Sequence, residues 1–182
     1  MRARLKDVIE SLIFISLEPL NLEKIKSICT EFSNKEIEEA IQELVANYAS
    51  NERGIQIIQA AGGYLFSTKS EHDQWIRRLL SLEKKSKLSH AALETLATIA
   101  YHQPVTLAEI SAFRGVDATH SLKSLLQKKL VKITGRKRSP GRPLIYRTTD
   151  KFLTYFGLDN LKDLPSEEEI LKLLDEEKTL EE

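Results

Sequence analysis

Apolar residues recur at helical spacing in the first stretch of the chain and alternate over shorter runs further on. From Ala3 to Leu17, the residues Leu5, Val8, Ile9, Leu12, Ile13 and Ser16 mark one helical stripe. Phe14, Ile15 and Leu17 lie partly outside it, so this helix is apolar on more than one face. Such a face is covered either from two sides within its own domain or by another copy of the chain. A domain of roughly 80 residues has little material to cover both faces. Leu12, Phe14, Ile15 and Leu17 are therefore candidate dimer-interface residues. After Pro19, Asn21 is placed to cap a short helix, and Ser33 with Glu36 forms a capping box that opens a helix through Ile37, Ala40, Ile41, Leu44 and Val45. Ile55 to Ala60 and Tyr64 to Thr68 read as strands around Ala61-Gly62-Gly63, a hairpin signal. Ser70 with Asp73 is expected to cap a last helix carrying Trp75, Ile76, Leu79 and Leu80.

The second half repeats this order. Ser89 is placed to cap a helix with Leu93, Leu96, Ala97 and Ala100 at helical spacing, and Pro104 stops it. Thr106 and Glu109 form another capping box, opening a short helix with Leu107, Ile110 and Phe113. Gly115 fits a left-handed helix end, and Asp117 is expected to cap a third helix running to about Lys129 on the stripe Leu122, Leu125 and Leu126. Two strand-like runs follow, Leu130 to Thr134 and Leu144 to Thr148, around a glycine- and proline-rich loop from Gly135 to Pro143. Helix, short helix, turn, helix and hairpin make a helix-turn-helix with a β-wing, the winged-helix arrangement.

The two halves also echo each other in detail. Pro19-Leu-Asn-Leu-Glu-Lys-Ile25 matches Pro104-Val-Thr-Leu-Ala-Glu-Ile110 in its proline, leucine and isoleucine at a constant offset of 85 residues. A two-fold repeat of this period means tandem domains and not a solenoid. The fold class expected is mainly α with small β-wings, two winged-helix domains in tandem. They cover residues 1–80 and 88–164, with a charged, aperiodic linker at 81–87 and an acidic tail at 165–182. In the tail Ser166 and Glu169 form one more capping box, with Ile170, Leu173 and Leu174 on one face. From Asp163 to Glu182 nine acids stand against two lysines. This is either a solvated chain end or an amphipathic segment that docks on a partner through those three residues.

Charge and chemistry narrow the function. The 182 residues carry 27 basic and 27 acidic side chains, so no overall field draws the chain to nucleic acid. The local balance differs: between Lys132 and Lys151 seven basic residues face one acid. Arg136, Lys137, Arg138, Arg142 and Arg147 are candidate phosphate contacts, because arginine forks suit phosphate oxygens. The alternative is a loop kept soluble by charge, with Arg142 bracing it. The recognition-helix position opens Asp117-Ala-Thr-His-Ser121, an acid and small residues where a base-reading helix presents Arg, Asn, Gln or Lys. That disfavours a sequence-specific transcriptional regulator. The four histidines, His72, His90, His102 and His120, have no metal-ligand spacing, and no phosphate loop occurs. No enzyme, metal or cofactor is expected. The single Cys29 suits a reducing cytosol, and no apolar run approaches the ~20 residues that span a membrane. A cytoplasmic location is expected.

Several blocks of the second half have a familiar wording. Ala91-Ala-Leu-Glu-Thr-Leu-Ala97, Ile99-Ala-Tyr-His-Gln-Pro-Val-Thr106, Arg114-Gly-Val-Asp117, Pro140-Gly-Arg-Pro143, Thr148-Thr149, Phe152-Leu153 and Phe156-Gly157 resemble the bacterial segregation and condensation protein B family. Leu107, Phe113 and Arg147 depart from its usual residues without breaking the pattern. The resemblance implies a non-enzymatic subunit of a condensin-like complex that acts in chromosome condensation and partition on the nucleoid. It implies a homodimer formed largely through the N-terminal domain. It also implies a grip on the kleisin, segregation and condensation protein A, which bridges the heads of an SMC ATPase. Weak, non-specific DNA contact through the second wing is compatible with it.

Overall fold

The computed structural model describes residues 4–50, 52–80, 88–166, 168–170 and 172. The expected linker at 81–87 and the tail from residue 173 onward lie outside the described residues. In the first half α1 (Leu5–Ile15) is followed by β1 (Leu20–Asn21), α2 (Leu22–Ile28), α3 (Asn34–Ala49), β2 (Ile55–Ala60), β3 (Gly63–Thr68) and α4 (Asp73–Leu79). The second half runs α5 (His90–His102), β4 (Val105–Thr106), α6 (Leu107–Arg114), α7 (Thr119–Gln127), β5 (Val131–Arg136), β6 (Leu144–Thr148) and α8 (Asp150–Phe156). Each half is a winged helix with a three-stranded antiparallel sheet, ordered β1-β3-β2 and β4-β6-β5.

Local signals set most of the boundaries. Ser33 and Thr106 accept from the backbone N–H groups of Glu36 and Glu109, and those carboxylates reach back to the cap residues, closing both capping boxes. Gly115 ends α6 in the left-handed region at φ 68°. The two-residue strands β1 and β4 were not expected; they form because the segment after each proline pairs with the returning wing strand. Gly63 makes the first pairing possible, since a Cβ there would sit 2.8 Å from the Pro19 and Leu20 carbonyl carbons. Three expectations are corrected. Asp117 does not cap α7 directly but accepts from the Thr119 N–H and hydroxyl (3.1 and 2.7 Å), leaving Ala118 at the cap. Ser70 starts a separate 3-10 turn and α4 begins after it without a side-chain cap. α7 stops at Gln127, and Lys129 turns left-handed at φ 59°.

Two hydrophobic cores result. Ile9, Ile13, Ile25, Ile37 and Ile41 centre the first, while Leu96, Ile99, Ile110, Leu125 and Leu130 centre the second. In each, the isoleucine of the repeated motif, Ile25 or Ile110, is wholly buried. The halves touch where the first wing meets the loop after α8. There the Ala61 N–H donates to the Leu158 carbonyl (2.9 Å), and Asp159 accepts from the Gly62 N–H (2.9 Å) and the Gln59 amide (3.1 Å).

Candidate partner-binding surfaces

Helix α1 is held on α3 by its inner face. The Tyr48 hydroxyl donates to the Glu10 carboxylate at 2.6 Å and Lys6 pairs with Glu43 at 2.5 Å. Ile9 and Ile13 are buried by this docking, and Leu5, Val8, Leu12 and Ser16 flank them half-buried. The C-terminal end of the helix is left uncovered. Phe14, Ile15 and Leu17 are 72%, 73% and 102% exposed, with the Phe14 ring only edge-on to Phe66 at 6.2 Å. Three bulky apolar side chains within four residues form a patch that water covers at a cost. Leu12 is half inside the fold, so it supports the patch more than it forms it.

Sequence reasoning missed the apolar face of α4. The helix expected to carry Trp75, Ile76, Leu79 and Leu80 leaves Trp75, Leu79 and Leu80 exposed, and the Trp75 ring meets the His72 ring edge-on at 6.2 Å. None of the three belongs to either core. The stripe was visible in the sequence; which side it faced was not.

The second wing is less free than its charge suggests. Lys137 pairs with Glu109 at 2.5 Å, so the base of the wing is tied to the start of α6. Arg136 donates to the Arg142 carbonyl at 3.1 Å, and Arg142 itself sits left-handed at φ 44°. Its backbone thus braces the loop. Arg138 and Arg147 are exposed and carry no ion pair among the described residues. At the end of α6 the Arg114 guanidinium is nearly buried and bonds Glu94 at 2.6 Å.

Glu109 shows what the wing contact does. The Lys137 ammonium, and then the Thr106 N–H and hydroxyl, hold its carboxyl down at about 2 from an ordinary 4.5. A carboxylate depressed on folding stabilises the fold fully above the unfolded value, and that contribution fades as pH falls from about 4.5 toward 2. Urea denaturation of the wild type and of Glu109→Gln should therefore differ most near neutral pH and converge in acid. A constant difference across that range would contradict the ion pair.

His90, His102 and Cys29 each sit in a local structural role. His102 stacks on Phe113 with ring centroids 4.0 Å apart and planes 3° apart, and His90 lies 3.0 Å from Glu94. Cys29 is buried at the end of α2, where burial pushes its thiol up and away from thiolate chemistry. Among the described residues no group of three or more His, Cys, Asp or Glu is arranged to hold a metal. No described helix is long and apolar enough to cross a membrane. In the tail Ser166 and Glu169 close their capping box and Ile170 is half-buried, while Leu173 and Leu174 lie outside the described residues.

The described residues thus form two tandem winged helices with exposed apolar patches on α1 and α4. The family model described as segregation and condensation complex subunit ScpB matches residues 7–167. The chain belongs to this family. The segregation and condensation protein B of Clostridium tetani is 44% identical over 96% of this chain and 92% of its own length. That of Syntrophotalea carbinolica is 43% identical, covering 97% and 88%. Among solved structures the chain is similar to ScpB from Mycobacterium tuberculosis, at 28% identity over 87% of this chain and 99% of that one, with a TM-score of 0.41. It is also similar to a dimer of the ScpB N-terminal domain complexed with a ScpA peptide, at 32% identity over 44% of this chain and 96% of that one, with a TM-score of 0.41. Family membership places the chain in chromosome segregation and condensation.

Proposed function

We propose that this protein is a non-enzymatic, architectural subunit of a bacterial SMC-kleisin complex, acting in the cytoplasm on the nucleoid. It pairs with a second copy through the N-terminal winged helix, and the pair grips the kleisin, segregation and condensation protein A. The kleisin in turn links it to the heads of the SMC ATPase. The observation that carries this reading is the uncovered apolar end of α1, Phe14, Ile15 and Leu17, on an otherwise complete core. Family membership supports this choice of partners, and the two separate cores support reading 1–80 and 88–164 as two modules that order a flexible kleisin segment between them. Direct DNA contact is confined to weak phosphate binding by Arg138 and Arg147. The start of α7, Asp117 to Ser121, presents none of the Arg, Asn, Gln or Lys side chains of a base-reading helix, and Asp117 is engaged with Thr119, so a transcriptional regulator is the weaker reading.

The test is a tagged pull-down from nuclease-treated native lysate with the bound proteins identified by mass. Recovery of a kleisin and an SMC ATPase after DNA is destroyed supports the architectural role. Recovery of neither, together with binding to DNA that weakens steeply with salt and prefers a base sequence, would replace it with the regulator.

A further inference from the structure

The tip of the first wing carries two donors that its own ladder does not use. Strands β2 and β3 pair as far as Ala60 and Gly63, so the N–H groups of Ala61 and Gly62 project from the turn. Both residues are left-handed, Ala61 at φ 52° and Gly62 at φ 73°, as a tight two-residue hairpin turn requires. Glycine reaches that region freely, but an alanine persists there where its surroundings hold it. Those surroundings come from the other half of the chain. The Ala61 N–H donates to the Leu158 carbonyl (2.9 Å), the Gly62 N–H to one Asp159 carboxylate oxygen (2.9 Å) and the Gln59 amide to the other (3.1 Å). Asp159 lies 97 residues from Gly62 and 100 from Gln59 along the sequence.

We propose that this contact is a latch: the loop of residues 157–163 is a ready-made socket for the tip of the first wing, and its closure holds the two winged helices at one fixed angle. The socket takes its shape from its own half. Gly157 ends α8 left-handed at φ 68°, the Leu158 N–H donates to the Leu153 carbonyl (2.9 Å), and the Leu158 side chain packs against the second core. The Asp163 carboxylate accepts from the N–H groups of Asp159 (3.0 Å) and Asn160 (2.9 Å), and the Asn160 side chain accepts from the Lys162 N–H (2.8 Å). The Leu158 carbonyl and the Asp159 carboxylate are thus positioned by their own domain, and closure on the wing costs little further ordering.

A single hydrogen-bonded pivot would leave the halves free to turn about it. A second approach restricts that turning, because Arg77 of α4 lies within electrostatic reach of Tyr155 of α8. Gln59 and Gly62 are exposed, and Ala61, Leu158 and Asp159 are half-buried, so the latch opens without either core being unpacked. It therefore sets the orientation of the halves and leaves the stability of each to its own core. A segment that touches both halves then meets them at a set spacing, whichever partner it belongs to. The latch is independent of the proposed dimer and kleisin contacts.

The experiment is NMR on the full chain, with two readouts. Residual dipolar couplings from both halves should fit one alignment tensor, and the Ala61 and Gly62 amides should exchange slowly with solvent. Asp159→Ala should split the fit into two tensors and speed exchange at Gly62 by roughly ten- to a hundredfold, the loss expected for a hydrogen bond to a charged group. Asp159→Asn replaces one carboxylate oxygen by an amide that opposes the Gln59 amide, and adding Gln59→Glu restores a pair of reversed polarity. The double variant should recover the single tensor that Asp159→Asn alone loses, which a mere folding defect would not allow. Two tensors in the unaltered chain, one tensor retained in Asp159→Ala, or a double variant no better than Asp159→Asn would each overturn the latch. In a mixture of labelled and unlabelled chains, contacts of Gly62 with Asp159 seen only between molecules would replace it with wings exchanged between two copies.

Discussion

Replacing Phe14 and Ile15 together by aspartate should leave the N-terminal winged helix folded and convert the proposed dimer into a monomer. Both side chains are more than 70% exposed in the single chain, so the fold loses little beyond the edge contact of Phe14 with Phe66. In a dimer they become buried, and covering each is worth about 1.5–3 kcal/mol. Two of them together account for about 3–6 kcal/mol, which weakens association by roughly two to four powers of ten. Charged replacements add the cost of burying an unpaired carboxylate. Sedimentation equilibrium reads the association constant, and far-ultraviolet circular dichroism with thermal melting confirms that the fold persists. A variant that remains as dimeric as the wild type would remove α1 from the interface and shift the proposal to the other uncovered face, Trp75 and Leu79 of α4.

Equivalent positions of the repeat should fail alike. Ile25→Ala and Ile110→Ala each remove a wholly buried side chain from the centre of a separate core. The transfer and cavity terms together cost about 2–5 kcal/mol at such a site, a large fraction of the stability of a small domain. Because the cores share no buried residue, each loss stays in its own half. Amide exchange resolved by residue, under mild denaturant, distinguishes them: Ile25→Ala should release α1 and α3, and Ile110→Ala should release α5 and α7. Equal loosening of both halves by either variant would mean one cooperative unit, held together through the Asp159 contacts with the first wing.

Much of this fold is legible in short-range chemistry. A capping box needs only two residues three apart, and Ser33–Glu36, Thr106–Glu109 and Ser166–Glu169 all close as their spacing implies. The repeat is visible because a proline, a polar cap and a buried isoleucine recur in one order, and both copies adopt the same turn into α2 and α6. Helix α8 escaped notice although its signals were present. Thr149 caps it through the Phe152 N–H, and Gly157 ends it left-handed at φ 68°. Seven residues are too few for periodicity to reveal it. The strands β1 and β4 are shorter still and carry no pattern of their own; they exist only because β3 and β6 return to pair with them.

By itself the sequence determined the winged-helix order, its duplication and the starts of the helices whose capping boxes close, since all of these rest on contacts between near neighbours. The tertiary structure decided which apolar stripe turns inward. Leu93 and Ala97 were expected in the stripe of α5, yet the core takes Ala92, Thr95 and Ile99 and leaves those two exposed. It also decided that Lys137 is held by Glu109 and Arg114 by Glu94, while Arg138 and Arg147 stay exposed. The reason is the same in each case. A helix with apolar residues on two faces, or a loop with many cations, states how much it can bury or pair. Only the elements brought alongside it from distant parts of the chain determine which of those residues do so.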